Sequence, residues 1–230
     1  MGVLTWVCGK TGSGKSTSIC PVETENVKIK GLDPESTVII NTDQKPLPSK
    51  KVRELYSDDR ILKNVTLDNI TATLTAIGQG QKIKSIVIDT WTRLNTNTVD
   101  GHAFQSSNGF EKWNGIVNKN VELMNTINNV LRDDLIVYLF AHPEVYTNES
   151  GMPDIRVAFE GKKLGLRSVE SYSSIVLCTE KVNTPGQGVV YSFNTNGLGP
   201  AKTPLEMFEK TNIPNDLGLV DDTIRDYYGL

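Results

Sequence analysis

Five runs rich in β-branched and aromatic residues, at 3–8, 37–41, 85–89, 135–141 and 174–178, lack the polar alternation of a half-exposed strand. Such continuous runs predict strands covered on both faces, as in a parallel sheet between helices. Helical spacing fills the gaps between them. Phe110, Trp113, Val117, Val121, Met124, Ile127 and Leu131 recur at three or four residues, and Asn108 with Glu111 has capping-box spacing. Ile70, Leu74 and Ile77 predict a second helix over 68–77. Strands alternating with helices imply a mainly parallel, right-handed α/β sheet.

The C-terminal third breaks this rhythm. Thr184-Pro185-Gly186-Gln187-Gly188 joins Lys181-Val182 to the apolar run 189–193, which predicts an antiparallel hairpin appended to the sheet. Pro200, Pro204 and Pro214 then predict short turns before a helix near 220–227. Pro21 should kink or shorten whatever helix follows the first strand. With 230 residues and no Pro/Gly/Ser-rich linker, a single domain over 1–230 is expected.

Composition narrows the classes. A net charge of −3 with 38% hydrophobic residues excludes wholesale disorder and a globally basic nucleic-acid binder. Cys8, Cys20 and Cys178 lie far apart, without metal-site spacing, and read as buried thiols of a reducing compartment. The chain enters its first strand directly and contains no long apolar run, so a cytoplasmic protein without membrane contact is expected.

The chemistry begins where the first strand ends. Gly9-Lys10-Thr11-Gly12-Ser13-Gly14-Lys15-Ser16 reads G-x-x-x-x-G-K-S, followed by Thr17. In such a phosphate loop the glycines let successive N–H groups face phosphate oxygens, the lysine reaches the β- and γ-phosphates, and the serine ligates Mg²⁺. ATP or GTP is the expected ligand class. The third run ends in Asp89, suited to hold Mg²⁺ with Ser16, and the second runs into Asp43, a candidate base for the attacking water. A turn-forming aspartate before Lys45-Pro46 is the competing reading of Asp43. The fourth run ends at His142, either a γ-phosphate sensor or a structural histidine.

Together, the loop at Gly9–Ser16, Asn41-Thr42-Asp43, Ile88-Asp89-Thr90 and Ala141-His142-Pro143 resemble the RecA-type ATPase core. With Gly161-Lys162-Lys163-Leu164, Ala201-Lys202-Thr203-Pro204 and Ile213-Pro214-Asn215-Asp216-Leu217, the chain is more closely similar to small phage-encoded AAA-domain proteins of the RecA-like single-strand annealing group. The resemblance implies a P-loop NTPase using ATP and Mg²⁺, with Asp43 activating water and His142 coupling ATP to a mobile DNA loop. Asp stands where the recombinases usually have Glu, and His where they usually have Gln. It further implies a homo-oligomer, ring or filament, in which Lys181 reaches a neighbour's γ-phosphate. The partners implied are single-stranded DNA and a single-strand DNA-binding protein, in the host cytoplasm.

On the same reading the stretch 143–165 is the DNA loop. Arg156, Lys162, Lys163 and the following Arg167 would meet phosphates, and Tyr146 and Phe159 would stack on bases. A solvated surface loop is the alternative. Two other functions share the phosphate loop: a nucleotide or small-molecule kinase, although the arginine-rich lid of such enzymes is missing, and a regulatory nucleotide-binding module without DNA activity.

Overall fold

Residues on a strand alternate between its two faces, so a run that is apolar throughout has to feed two cores at once. In the computed structural model, which describes residues 1–23, 28–100, 109–159, 168–184 and 188–230, the runs do so. The strands are β1 (Val3–Cys8), β2 (Val22–Glu23), β3 (Lys28–Ile29), β4 (Thr37–Asn41), β5 (Ile61–Leu62), β6 (Ser85–Asp89), β7 (Ile136–Ala141), β8 (Pro143–Thr147), β9 (Pro153–Val157), β10 (Ile175–Thr184), β11 (Gly188–Asn194) and β12 (Asn212–Pro214). The α-helices are α1 (Lys51–Leu55), α2 (Ile70–Gln79), α3 (Trp91–Asp100), α4 (Gly109–Asn129) and α5 (Leu217–Tyr228).

One face of the main sheet places Trp6, Ile40, Ile86, Ile88, Val137 and Leu139 against Leu74 of α2, Leu94 of α3 and Leu123 and Ile127 of α4. The other face places Val7, Ile39, Val87, Tyr138 and Phe140 against Ile19, Leu32, Tyr56 and Val220 and Ile224 of α5. Full burial of each such side chain contributes roughly 1.5–3 kcal/mol. Trp6 and Trp91 meet edge-to-face with centroids 4.9 Å apart, fixing α3 on the sheet.

The sheet order is β12-β11-β10-β1-β7-β6-β4-β5, parallel from β10 through β5 and antiparallel across β10-β11-β12. This is the expected mainly parallel α/β sheet flanked by helices, with the appended antiparallel hairpin in place. Register is what matters for chemistry. Cys8 pairs with Ala141, Ile88 with Leu139, and Asn41 with Asp89, so β1, β7, β6 and β4 all end at one edge.

Several expectations need correction. The buried face of α4 centres on Ile116, Asn120, Leu123, Met124 and Ile127, while Val117 and Val121 are half-buried. Asn108, of the capping-box pair, lies outside the described residues. The shortening expected from Pro21 is present: after the phosphate loop the chain makes only a 3₁₀ turn, Ser16–Ile19, and Cys20 is already extended before Pro21. The stretch 143–165 is not a loop where it is described: β8 and β9 form an antiparallel hairpin with Pro143 opposite Val157 and Thr147 opposite Pro153. The helices α1 and α3 have no counterpart in the sequence reading, and no described helix is long and apolar enough to cross a membrane.

Candidate functional site

A cleft of about 320 Å³ opens at the shared strand edge, lined by 11–17 of the phosphate loop, Asn41, Asp43, Lys45 to Pro48, Asp89, Thr90 and His142. Four separate strands therefore deliver to one place the residues that the sequence singled out after each run. Gly9 and Lys10, which open the loop, do not line the cleft, and their carbonyls accept from the Lys15 ammonium.

The loop's shape rests on its glycines. Gly12 and Gly14 adopt φ of +73° and +94°, which side-chain-bearing residues rarely do. Gly9 is required by closeness instead, since a Cβ there would lie 1.7 Å from Thr179 Oγ1 on β10. Thr179 donates to Ser13 Oγ at 2.6 Å, and Ser13 Oγ donates to the Lys10 carbonyl at 2.6 Å, so β10 braces the loop. The sequence reading missed Thr179, although it follows the fifth apolar run just as Asp43, His142 and Gly9 follow or adjoin the others.

Lys15 is buried, and its ammonium donates to the carbonyls of Gly9 and, at 3.0 Å, of Lys10. Burial lowers its pKa, against the pull of Asp89, Cys8 and Asp43. Asp89 is 5% exposed, and burial lifts its carboxyl to about 6; Asp43 adds to the rise, while the Ser16 hydroxyl bonded to it and Lys15 hold it down. Two carboxylates thus converge with a hydroxyl, a hard-oxygen set that suits a divalent cation retaining water and phosphate ligands. Among the described residues no group of three or more His, Cys, Asp or Glu could hold a metal by itself. Ser16 and Asp89 fit Mg²⁺ on that chemistry.

Asp43 sits in the turn after β4, partly exposed, with Lys45 Nζ 3.6 Å from its carboxylate. It stands in the turn and also lines the cleft. Thr42 anchors that turn by donating its hydroxyl to the Thr90 carbonyl at 2.7 Å, and its N–H to the Asp89 carbonyl at 2.9 Å. The ring of His142 approaches the Gly9 carbonyl at 3.2 Å through Nδ1. A carbonyl only accepts, so Nδ1 carries the proton and Nε2 is left for a ligand. Burial, then Lys15, lowers the His142 pKa, with the Gly9 carbonyl and Asp43 opposing.

Lys181 does not line this cleft. It stands exposed on β10 opposite Tyr191, its ammonium 5.7 Å from that ring. Of the four cations assigned to DNA, Lys162, Lys163 and Arg167 lie outside the described residues. Arg156 pairs with Glu144 at 2.6 Å and stacks over Tyr146 at 4.6 Å. Phe159 packs on Trp91, centroids 5.2 Å apart, and is half-buried against the core, so it is not a free stacking platform.

A second, larger cleft of about 880 Å³ adjoins the first and shares Asn41, Lys45, Pro46 and Leu47 with it; Gln44, Lys63 and Asn64 also line it.

No family model and no curated protein matches the chain. Among solved structures, it is similar to a KaiC-like protein of the hyperthermophilic archaeon Pyrococcus horikoshii OT3, with 12% identity and a TM-score of 0.48, over 84% of this chain and 77% of that one.

Proposed function

We propose that this chain binds ATP with Mg²⁺ in the smaller cleft and hydrolyses it. What carries the reading is the convergence of Lys15, Ser16, Asp43, Asp89 and His142 on one cleft beside a glycine-shaped loop. The main-chain N–H groups of 11–17 bind the phosphates, and Lys15 exchanges its carbonyl partners for phosphate oxygens. Ser16 and Asp89 would hold the cation, which would supply positive charge against that developing on the phosphates. Asp43 takes the proton of the attacking water as the bond from the γ-phosphorus to the bridging oxygen breaks. His142 is neutral until the γ-phosphate arrives, whose charge favours a proton on Nε2.

The wider role is proposed on the sequence resemblance: a phage recombination protein that binds single-stranded DNA and promotes annealing or strand exchange in the host cytoplasm. It would work as a homo-oligomer in which Lys181 of one copy completes a neighbour's site, its exposed position on the hairpin being compatible with such reach. A second reading, phosphoryl transfer to a small acceptor, is favoured by the adjoining 880 Å³ cleft.

Hydrolysis assays with and without single-stranded DNA separate these readings. DNA-stimulated release of phosphate is the expected result. Transfer to an added acceptor would favour the kinase, binding without turnover a regulatory module, and turnover by Lys15→Ala equal to the parent protein would remove the site.

A further inference from the structure

Asn215 is buried, 5% exposed, yet neither its amide nitrogen nor its amide oxygen has a hydrogen-bond partner among the described residues. An unpaired buried amide is costly, and an apolar side chain of similar size would avoid the cost. The amide faces the phosphate loop: a Cβ built on Gly14 would meet Asn215 Oδ1 at 2.8 Å and Tyr191 Cδ1 at 3.0 Å.

Its backbone is rigidly held. Pro214 pairs with Ser192 across β11-β12, and Asp216 caps α5 by accepting from Gly218 N at 2.9 Å. The same carboxylate accepts from Gly31 N at 2.9 Å and Lys30 N at 2.6 Å, tying the turn to the segment before β4. The orientation of Asn215 toward Gly14 is therefore set by a turn fastened on both sides.

The loop, in contrast, has to change partners to work. Lys15 must leave the Gly9 and Lys10 carbonyls to reach phosphate, and a Cβ at Gly12 would meet nothing within 4 Å, so there is open space on that side of the loop.

We propose that Asn215 is a positioning residue for the phosphate loop, supplying from behind the hydrogen bond that fastens the main chain around Gly14 when the loop closes on a polyphosphate. The proposal rests on the nucleotide reading above. The unpaired amide of the open loop is matched by a loop peptide group in the closed one, so ligand binding recovers the cost of burying it. Asn215 touches no reacting atom; it acts through Gly14.

The test uses Asn215→Leu and Asn215→Ala in the full chain, with melting temperature read alone and affinity read for Mg-ATP and Mg-tripolyphosphate. Expected are a ligand-free melting temperature unchanged or raised in Asn215→Leu, and about five- to tenfold weaker binding of both ligands in both variants. A merely structural residue would lower the ligand-free melting temperature and leave affinity alone, which overturns the proposal, as does failure of both variants to fold. Loss confined to ATP would also overturn it, by assigning the amide to the base. Absence of Mg-ATP binding by the parent protein, or full binding by Lys15→Ala, overturns the nucleotide reading itself, whatever the Asn215 variants do.

Discussion

Substituting Asp89 with asparagine should stabilise the protein while disabling its chemistry. Burial and the Asp43 charge hold the Asp89 carboxyl at about 6, against 3.8 for a free aspartate. At about 1.36 kcal/mol per pH unit, that displacement corresponds to ~3 kcal/mol that the folded chain forgoes when Asp89 ionises. The sign follows from proton binding. Between 3.8 and about 6 the folded state holds more protons on this group than the unfolded state, so its contribution falls as pH rises through that window.

The amide introduced by Asp89→Asn does not ionise and still accepts from the Ser16 hydroxyl. Denaturation in a chelator, without nucleotide, from about pH 4 to pH 8 should show the parent losing stability through the window and Asp89→Asn lacking that loss. Near neutral pH the variant should melt roughly 6–12 °C higher, at about 2–4 °C per kcal/mol for a chain of this size. Added Mg²⁺ should stabilise the parent and not the variant, and Mg-ATP turnover should vanish. A variant less stable than the parent at neutral pH, or a pH profile parallel to the parent's, would refute the reasoning.

Further expectations concern the neighbours of that carboxylate. Gly9→Ala should cost roughly 2–3 kcal/mol by overpacking against Thr179, partly recovered in Gly9→Ala with Thr179→Ala, as read by urea unfolding. ATP binding should take up a proton at His142, so affinity should weaken as pH rises above the lowered pKa of that residue, and His142→Gln should flatten the profile; calorimetry in buffers of different ionisation enthalpy measures the uptake. Lys181→Ala should slow turnover at least tenfold without changing ATP affinity, and unchanged turnover would remove its assignment to a neighbour's site. Arg156→Ala should weaken single-stranded DNA binding and lower its salt slope by about one charge; an unchanged slope would take the hairpin out of any DNA path.

What the chain discloses in advance follows from how it encodes each part. Strands covered on two faces have to be apolar throughout, so β1, β4, β6 and β7 are visible as runs, and the residues at their ends mark the edge that carries the cleft. The loop glycines are legible because only glycine suits their backbone. The helix α3 is not, because Thr92, Asn95, Thr96, Asn97 and Thr98 are poor helix formers. It is held from outside, with Trp91 Nε1 donating to Asn120 Oδ1 at 2.8 Å and Asn120 donating to Asn95 Oδ1 at 2.7 Å. The hairpin β8-β9 is hard to read because the alternation in Pro153-Asp154-Ile155-Arg156-Val157 is short and its Ile155, opposite Val145, is exposed, so the pattern does not mark a core face. Thr179 and Asn215 matter through contacts with residues 166 or more positions away, a kind of information that spacing alone does not hold.

The turn at Ser16–Ile19 has an electrostatic consequence. A long helix behind a phosphate loop lends the ligand the positive end of many aligned peptide dipoles, whereas a turn of four residues aligns few. Attraction for a polyphosphate is then concentrated in the loop's own N–H groups and in the side-chain ammonium groups that line the cleft, those of the buried Lys15 and of Lys45 beside Asp43. On the nucleotide reading proposed above, capture of ATP would consequently hinge on these few side chains and on the metal that accompanies the nucleotide.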